Sequence, residues 1–275
     1  MALEVVGRYG LIQQVVSWYR PEEQSDPSWR QDRRAGSRFS REGKYRKAEK
    51  KYRSSLRTLE DIYGPKHHEV ITAINAVGVA CLMQGELSEA ERLFLRSLRL
   101  SRELFGEEAP NLSVPLQALY QIYFEREDFT SAERYARQNL QIVEGAFGEL
   151  DPRFADSLED LVAIYEQQHL FDEAIPLRER IVRILRKSLE ESDPVLGHAL
   201  GRLAFLYHSV GRYRDAESFY ERALEILGSI DPRGKEDIEL TAVVTNYAAL
   251  LRATNRPAEA TTMSEKYQPG RSGDP

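Results

Sequence analysis

The chain has 275 residues, 41% of them hydrophobic and 30% charged, with a net charge of -6; this is apolar material enough for a core, with the high surface charge of an elongated body. A single cysteine, Cys81, excludes an internal disulfide framework and points to a reducing, cytoplasmic setting. No apolar run nears the ~20 residues that cross a bilayer, and the first twenty residues lack a basic leader and a small-residue cleavage site, so neither a membrane span nor a signal peptide is expected.

In chain order, residues 3–19 predict an amphipathic helix. Val5, Tyr9, Ile12, Val16 and Tyr19 mark one face, Val6, Val15 and Trp18 widen it, and Pro21 stops it. Residues 22–28 read as a linker, so 1–28 is set apart from the rest of the chain. The helix is expected to cap the first repeat, with partner binding, self-association or membrane-surface anchoring as alternatives. Next comes a degenerate first unit. Its opening helix, 29–41, carries Arg30, Arg33, Arg34, Arg38 and Arg41 with few apolar residues beyond Trp29, Ala35 and Phe39, whereas its second helix, 45–63, is regular. Between Arg30 and Arg57 stand twelve Lys or Arg and only three acids.

From there a period governs the chain. Ala48, Ala90, Ala132, Ala174 and Ala216 stand at a spacing of 42, each near the start of a helix that succeeds a short turn. Residues 193–228 show one whole unit. Asp193 is an N-cap acceptor and Pro194 occupies the first helical position, where its missing N–H costs nothing. Leu196, Leu200, Leu203, Leu206, Tyr207 and Val210 form a helical stripe, Gly211 ends it in a left-handed conformation, and Tyr213, Ala216, Phe219, Tyr220, Ala223, Leu224 and Leu227 form the second stripe. Alanine is required where the two helices cross, with Ala204 matching it on the first helix and Gly78 and Ala248 at the same phase. Tyr123, Tyr165 and Tyr207, also 42 apart, fill the space between hairpins, and Cys81 holds that place one unit earlier as a buried apolar residue. The last unit runs at a spacing of 44, from Ala216 to Ala260, with the two extra residues in the loop 229–236. The final helix, from Pro257, is short and polar like a terminal cap, and 269–275 is expected to be disordered.

This phase resembles the tetratricopeptide repeat, whose usual unit is 34 residues. The eight further residues here make the repeats similar to those of kinesin light chain. The junctions Gly64-Pro-Lys-His-His68, Gly106-Glu-Glu-Ala-Pro110, Gly148-Glu-Leu-Asp-Pro152 and Ser192-Asp-Pro194 resemble that family's Gly-x-x-His-Pro linkers. The resemblance implies an all-α fold, a right-handed α-solenoid of stacked antiparallel helix pairs over 29–268, with about six hairpins. Kinesin-light-chain-like repeats share a Leu-Asn-Asn-Leu-Ala segment whose second Asn holds the main chain of a bound peptide. The equivalent residues here are Ala76, Ala118, Asp160, Arg202 and Asn246, of which Asn246 alone matches; Asn75 matches the first Asn.

Catalytic and metal-binding signatures do not emerge. No Gly-x-x-x-x-Gly-Lys loop and no Gly-x-Ser-x-Gly elbow occurs, and His67-His68-Glu69 is not His-Glu-x-x-His and reads as a junction or N-cap. His198 and His208 are ten residues apart on one helix and cannot chelate one ion. No enzyme activity, cofactor or metal is expected.

The first helix of each hairpin should line a concave groove. Its candidate contact residues are Arg33 and Arg34, then Asn75 and Val79, then Gln117, Gln121 and Phe124, then Glu159 and Asp160, then Arg202, Phe205 and His208, and last Asn246 and Arg252. The expected function is a non-catalytic protein-interaction scaffold that takes a peptide or helical segment of unknown identity. Two alternatives stay open. The basic segment 30–57 could bind nucleic acid or an acidic membrane surface, neither of them the favoured partner; or the chain is the sensor or adaptor part of a larger signalling system. The oligomeric state is not encoded legibly.

Overall fold

A computed structural model describes residues 27–228 and 238–267; the predicted helix at 3–19, the loop 229–236 and the tail 269–275 lie outside the described residues. The described residues form α-helices and one 3-10 turn, with no strand among them. The helices are α1 (Ser28–Arg41), α2 (Tyr45–Tyr63), α3 (His68–Leu82), α4 (Leu87–Phe105), α5 (Ser113–Glu125), α6 (Phe129–Phe147), α7 (Pro152–Gln167), α8 (Phe171–Ser188), α9 (Pro194–Ser209), α10 (Tyr213–Leu227), α11 (Ile238–Ala253) and α12 (Pro257–Lys266). Two compact units divide at Ala146 and Phe147. In the first, α1 packs on α2, α2 and α4 both pack on α3, and α5 packs on α4 and α3. In the second, α7 packs on α8, α9 packs on α8 and α10, α11 packs on α9 and α10, and α12 closes on α11. Each unit is therefore a stack of antiparallel helix pairs, as the 42-residue period predicts.

The periodic alanines show why the pairs close. Ala48, Ala90, Ala132, Ala174, Ala216 and Ala260 are all fully buried at 0% exposure. The facing position on the first helix obeys the same rule where the second helix carries a ring. A Cβ added to Gly36 would lie 2.6 Å from the Tyr52 ring, and one added to Gly78 would lie 2.8 Å from the Phe94 ring. Small residues at 36 and 78 thus stand opposite large ones at 52 and 94, and Ala204 and Tyr220, both fully buried, hold the same two phases. In the third hairpin the phases are exchanged, with Tyr120 on the first helix and buried Ala136 on the second.

The turn inside each hairpin repeats as well. Residues 43, 85, 127, 169, 211 and 255 all have positive φ, from 57 to 78°. Three are glycines, but Glu127, His169 and Asn255 carry a Cβ in a conformation that costs an L-residue about 1–2 kcal/mol, less for asparagine. Glu127→Gly is therefore expected to raise the stability of the first unit by several tenths to about 1 kcal/mol, after allowance for the freer unfolded glycine. Urea melting of the full chain checks this, and a loss of stability would show that the Glu127 side chain contributes more than its backbone strain costs.

Helix entries obey the capping residues at the junctions. The Asp151 carboxylate accepts from the Arg153 N–H at 2.9 Å and Asp193 accepts from the Val195 N–H at 2.8 Å, each ahead of a proline at the first helical position. His67 takes the N-cap position of α3, its Nδ1 accepting from the Glu69 N–H at 3.3 Å. The junction role predicted for the His67-His68 pair is what it performs.

Candidate functional site

The second helices are tied to one another by polar pairs that the hydrophobic pattern does not reveal. Arg53 pairs with Glu89 at 2.9 Å, Arg96 pairs with Glu60, and Arg102 Nη2 donates to Gln138 at 3.2 Å, each across 36 residues. On the first helices Arg33 reaches Glu69 at 2.6 Å over the same interval. These contacts occupy part of the basic segment 30–57: Arg53 also binds Glu49 at 2.8 Å, and Lys51 binds Asp32 at 2.7 Å. The complementary charges 36 apart are readable in the sequence, but only as a second period inside the first.

The candidate contact residues lie on the first helices. In the first unit these are α1, α3 and α5. Arg33 is half-buried in its ion pair, and Arg34 is exposed. Asn75 and Val79 are buried at 7% and 8% exposure, and Ala76 and Ala118 are closed off entirely, so the middle of this face is apolar and tightly covered. Gln117 and Gln121 are half-buried, and the Gln121 amide donates to Glu125 at 3.3 Å. Phe124 packs its ring 5.7 Å from both Tyr120 and Phe129.

In the second unit the face is α7, α9 and α11, and its character is electrostatic. Phe154, Leu158, Leu161 and Tyr165 turn α7 into the core, which leaves Asp156, Glu159, Asp160 and Glu166 along its remaining stripe. Arg178 of α8 reaches two of them. It is 1% exposed, yet its guanidinium donates to Glu159 and, at 3.2 Å, to Glu166. Its Nε has no acceptor. Arg202 of α9 pairs with Glu239 of α11 at 3.0 Å; burial works against its charge, but Glu239 and Glu159 more than offset that and hold it charged. Asp160 is half-buried, and its Oδ2 is shut off from solvent with no hydrogen-bond partner. Desolvation, then the neighbouring Asp156 and Glu159, push its carboxyl well above the usual carboxylate range; desolvation and Glu159 push Asp156 up as well.

Beside this cluster, Phe205 is 39% exposed and meets the Phe171 ring edge-on at 6.3 Å. His208 lies between the Tyr213 and Tyr220 rings, and burial lowers its pKa. Asn246 is half-buried on α11, and Arg252 is exposed near its end. The structure thus brings Glu159, Asp160 and Arg202 into one charged neighbourhood with Arg178 and Asp156, two residues that the repeat phase does not single out. Arg178 has a signal of its own: it interrupts the phase at which Tyr52, Phe94 and Tyr220 stand.

One grouping of potential metal ligands occurs among the described residues, at Glu49, Cys81 and Glu86, whose ligand atoms lie within 4.8 Å of one another. Glu49 is already engaged by Arg53 and by Gln84 at 2.9 Å, and burial with the nearby Glu49 charge pushes the Cys81 thiol up to about 12. Cys81 is fully buried and packs as the small apolar residue its phase predicts. No described helix is long and apolar enough to cross a membrane.

The tetratricopeptide repeat family model matches residues 33–103 and 153–229, together more than half of the chain. The chain belongs to the tetratricopeptide repeat family. Its repeats are similar to solved structures of the same fold. The kinesin light chain nearly identical TPR-like repeats of Podosopora anserina share 18% identity at a TM-score of 0.65, over 78% of this chain and 100% of that one. BtubC (BKLC) from P. vanneervenii shares 21% at 0.64, over 84% and 96%. YrrB, described as a TPR protein with an unusual peptide-binding site, shares 15% at 0.52, over 78% and 92%. A comparison with curated proteins finds no match. At these identities the likeness establishes the fold, while the residues of each face are this chain's own.

Proposed function

We propose that this tetratricopeptide array, over 29–268, is a non-catalytic protein-interaction scaffold that takes a peptide or helical segment on its first-helix faces. The observation that carries the reading is the make-up of the first helices of the second unit, which keep Phe205 exposed on α9 and the buried Asp160 Oδ2 on α7 without a hydrogen-bond partner among the described residues. An exposed apolar group and an unsatisfied polar one on the first helices of one unit suit a partner that supplies both kinds of contact. The unusual peptide-binding site reported for YrrB is in keeping with this use of the fold. The single buried cysteine supports a cytoplasmic setting.

The test is selection of a displayed random-peptide library on the full chain. Selected peptides are expected to bind Phe205→Ala and Arg202→Glu variants about tenfold more weakly or worse, the loss of a central apolar anchor or of a reversed charge. Undiminished binding to both variants would overturn the assignment of the face.

The basic segment offers a second reading, attraction to a polyanion, because Arg38, Arg41, Arg46 and Lys50 are exposed. The internal use of Arg33, Lys51 and Arg53 in ion pairs makes it the weaker of the two.

A further inference from the structure

We propose that the N-terminal end of the protein binds an anionic bilayer surface, the exposed basic turn of the first hairpin meeting the headgroups while the amphipathic helix predicted at 3–19 lies in the interface. The inference rests on the polyanion reading of the basic segment and gives it a definite partner. Two observations carry it. The first is charge. Residues 38–50, the turn of the first hairpin with its flanks, hold Arg38, Arg41, Lys44, Arg46, Lys47 and Lys50 against two acids, Glu42 and Glu49, and all six cations are exposed. Among the described residues, Lys44 alone of the six makes an ion pair, with Glu42 at 2.8 Å. The same interval reads differently in later hairpins: residues 80–92 carry one arginine and three acids, and residues 164–176 carry three acids and no Lys or Arg.

The second observation is the flank that the first hairpin offers to the apolar face of 3–19. A helix ahead of α1 would take the place that α2 holds against α3. The stripe that α3 turns toward α2 is marked by Cys81, whose Sγ lies 3.8 Å from Arg53 Nη2; the same phase in α9 is Tyr207, whose hydroxyl donates to Glu179 of the preceding second helix. Ile74 and Val77, on that stripe, are fully buried, and leucine stands buried at both phases in α5, α7 and α9. In α1 the two phases carry Asp32 and Ala35. Asp32 is already paired at 2.7 Å with Lys51 of α2, which stands where α4 has buried Leu93. The first hairpin therefore closes the array with a polar flank, as a terminal unit does. An apolar helix laid there would cover an ion pair and gain little.

The two parts complement each other. Residues 1–26 contain Arg8 and Arg20 against four acids, so the segment has the apolar face and the interfacial aromatics, Trp18 and Tyr19, of a surface helix but not its cations. The folded hairpin supplies them. Shallow insertion and electrostatic attraction, each marginal alone, add on an anionic surface. Distances permit the combination. Residues 20–26 reach about 23 Å when extended. The chain enters at Ser28, and the 14 residues of α1 carry it about 21 Å to the turn, so helix and turn can meet one plane. A nucleic acid would engage the cations and leave the apolar face without a use, and for that reason the bilayer is the partner the observations favour.

The experiment sediments the full chain with vesicles of phosphatidylcholine alone, or with about a third phosphatidylserine, at about 0.1 M and about 1 M salt. Binding to the anionic vesicles should be about tenfold tighter or more at low salt, and the preference should vanish at high salt. The double variant Arg46→Glu, Lys50→Glu and, separately, Val16→Glu should each weaken anionic-vesicle binding about tenfold or more. Urea melting checks that each variant is folded; Arg38→Glu with Arg41→Glu replaces the first pair should it not fold. Equal binding to both vesicle types, or full binding by either variant, would overturn the inference. So would a self-association seen by light scattering that Val16→Glu abolishes, with no vesicle binding. Capture of a duplex oligonucleotide by a chain that ignores anionic vesicles would overturn the bilayer and leave the polyanion reading standing. Binding to neither would overturn both.

Discussion

Arg178→Ala is expected to destabilise the second unit by about 3–5 kcal/mol, the cost of cutting a buried ion pair and leaving the space of a long side chain. The guanidinium is 1% exposed, so its stem and head are both packed, and truncation removes core volume together with charge. Its loss also leaves Glu159 and Glu166 without this ion-pair partner beside Asp156 and Asp160, so the acids repel one another across nearly three turns of α7. Glu159→Ala should cost much less, about 1 kcal/mol or below, because Glu159 is 38% exposed and Arg178 keeps Glu166. Urea unfolding of the full chain measures both. A change under about 1 kcal/mol for Arg178→Ala would show that the buried guanidinium contributes neither packing nor pairing.

The second large effect concerns the small-against-large rule of the hairpin. Gly78→Ala should cost about 1–3 kcal/mol, since the new Cβ would meet the Phe94 ring at 2.8 Å and the ring is itself fully buried. Replacing Phe94 by leucine in the same chain should recover part of that loss. The double variant is expected to be more stable than the sum of its two single changes by at least about 0.5 kcal/mol, the coupling of residues that share one space. The third hairpin already carries the exchanged arrangement, with Tyr120 on the first helix and Ala136 on the second. Strict additivity in a thermal or urea series would mean that residues 78 and 94 do not compete for volume.

Both effects bear on how the faces are made available. Close approach of the two helices in each hairpin, enforced by alanine and glycine, directs the remaining side chains of the first helix outward. In α7 the same geometry sends Phe154, Leu158 and Leu161 inward and leaves the acids on the other side. A hairpin loosened at its crossing would blur that separation, so stability at the crossing and recognition on the face are linked through the orientation of one helix.

Much of this is legible in the chain. The spacing of 42 between buried alanines, the aspartate-proline helix starts, the turn residues at 43, 85 and 211 and the degenerate first unit are local or periodic features, and a helix pair expresses them wherever they occur. Of the candidate face residues, Arg202 and Asp160 each interact with the Glu159 charge in the second unit. Asn75 and Val79, chosen by the same phase, are buried. Phase gives the direction of a side chain from its helix axis and says nothing of what lies above it. Arg178 escapes the phase argument for a related reason: arginine on a polar-rich helix reads as solvated until its neighbours are known.

The sequence by itself determined the repeat length, the helix pairs and the family, because each rests on residues close in the chain or on a period that every unit must obey to share its neighbour's apolar wall. Only the tertiary structure decided which charges are satisfied. Pairing between Arg178 and Glu159, or between Arg202 and Glu239, depends on distances between helices, and those distances leave the Asp160 Oδ2 buried without a hydrogen-bond partner among the described residues.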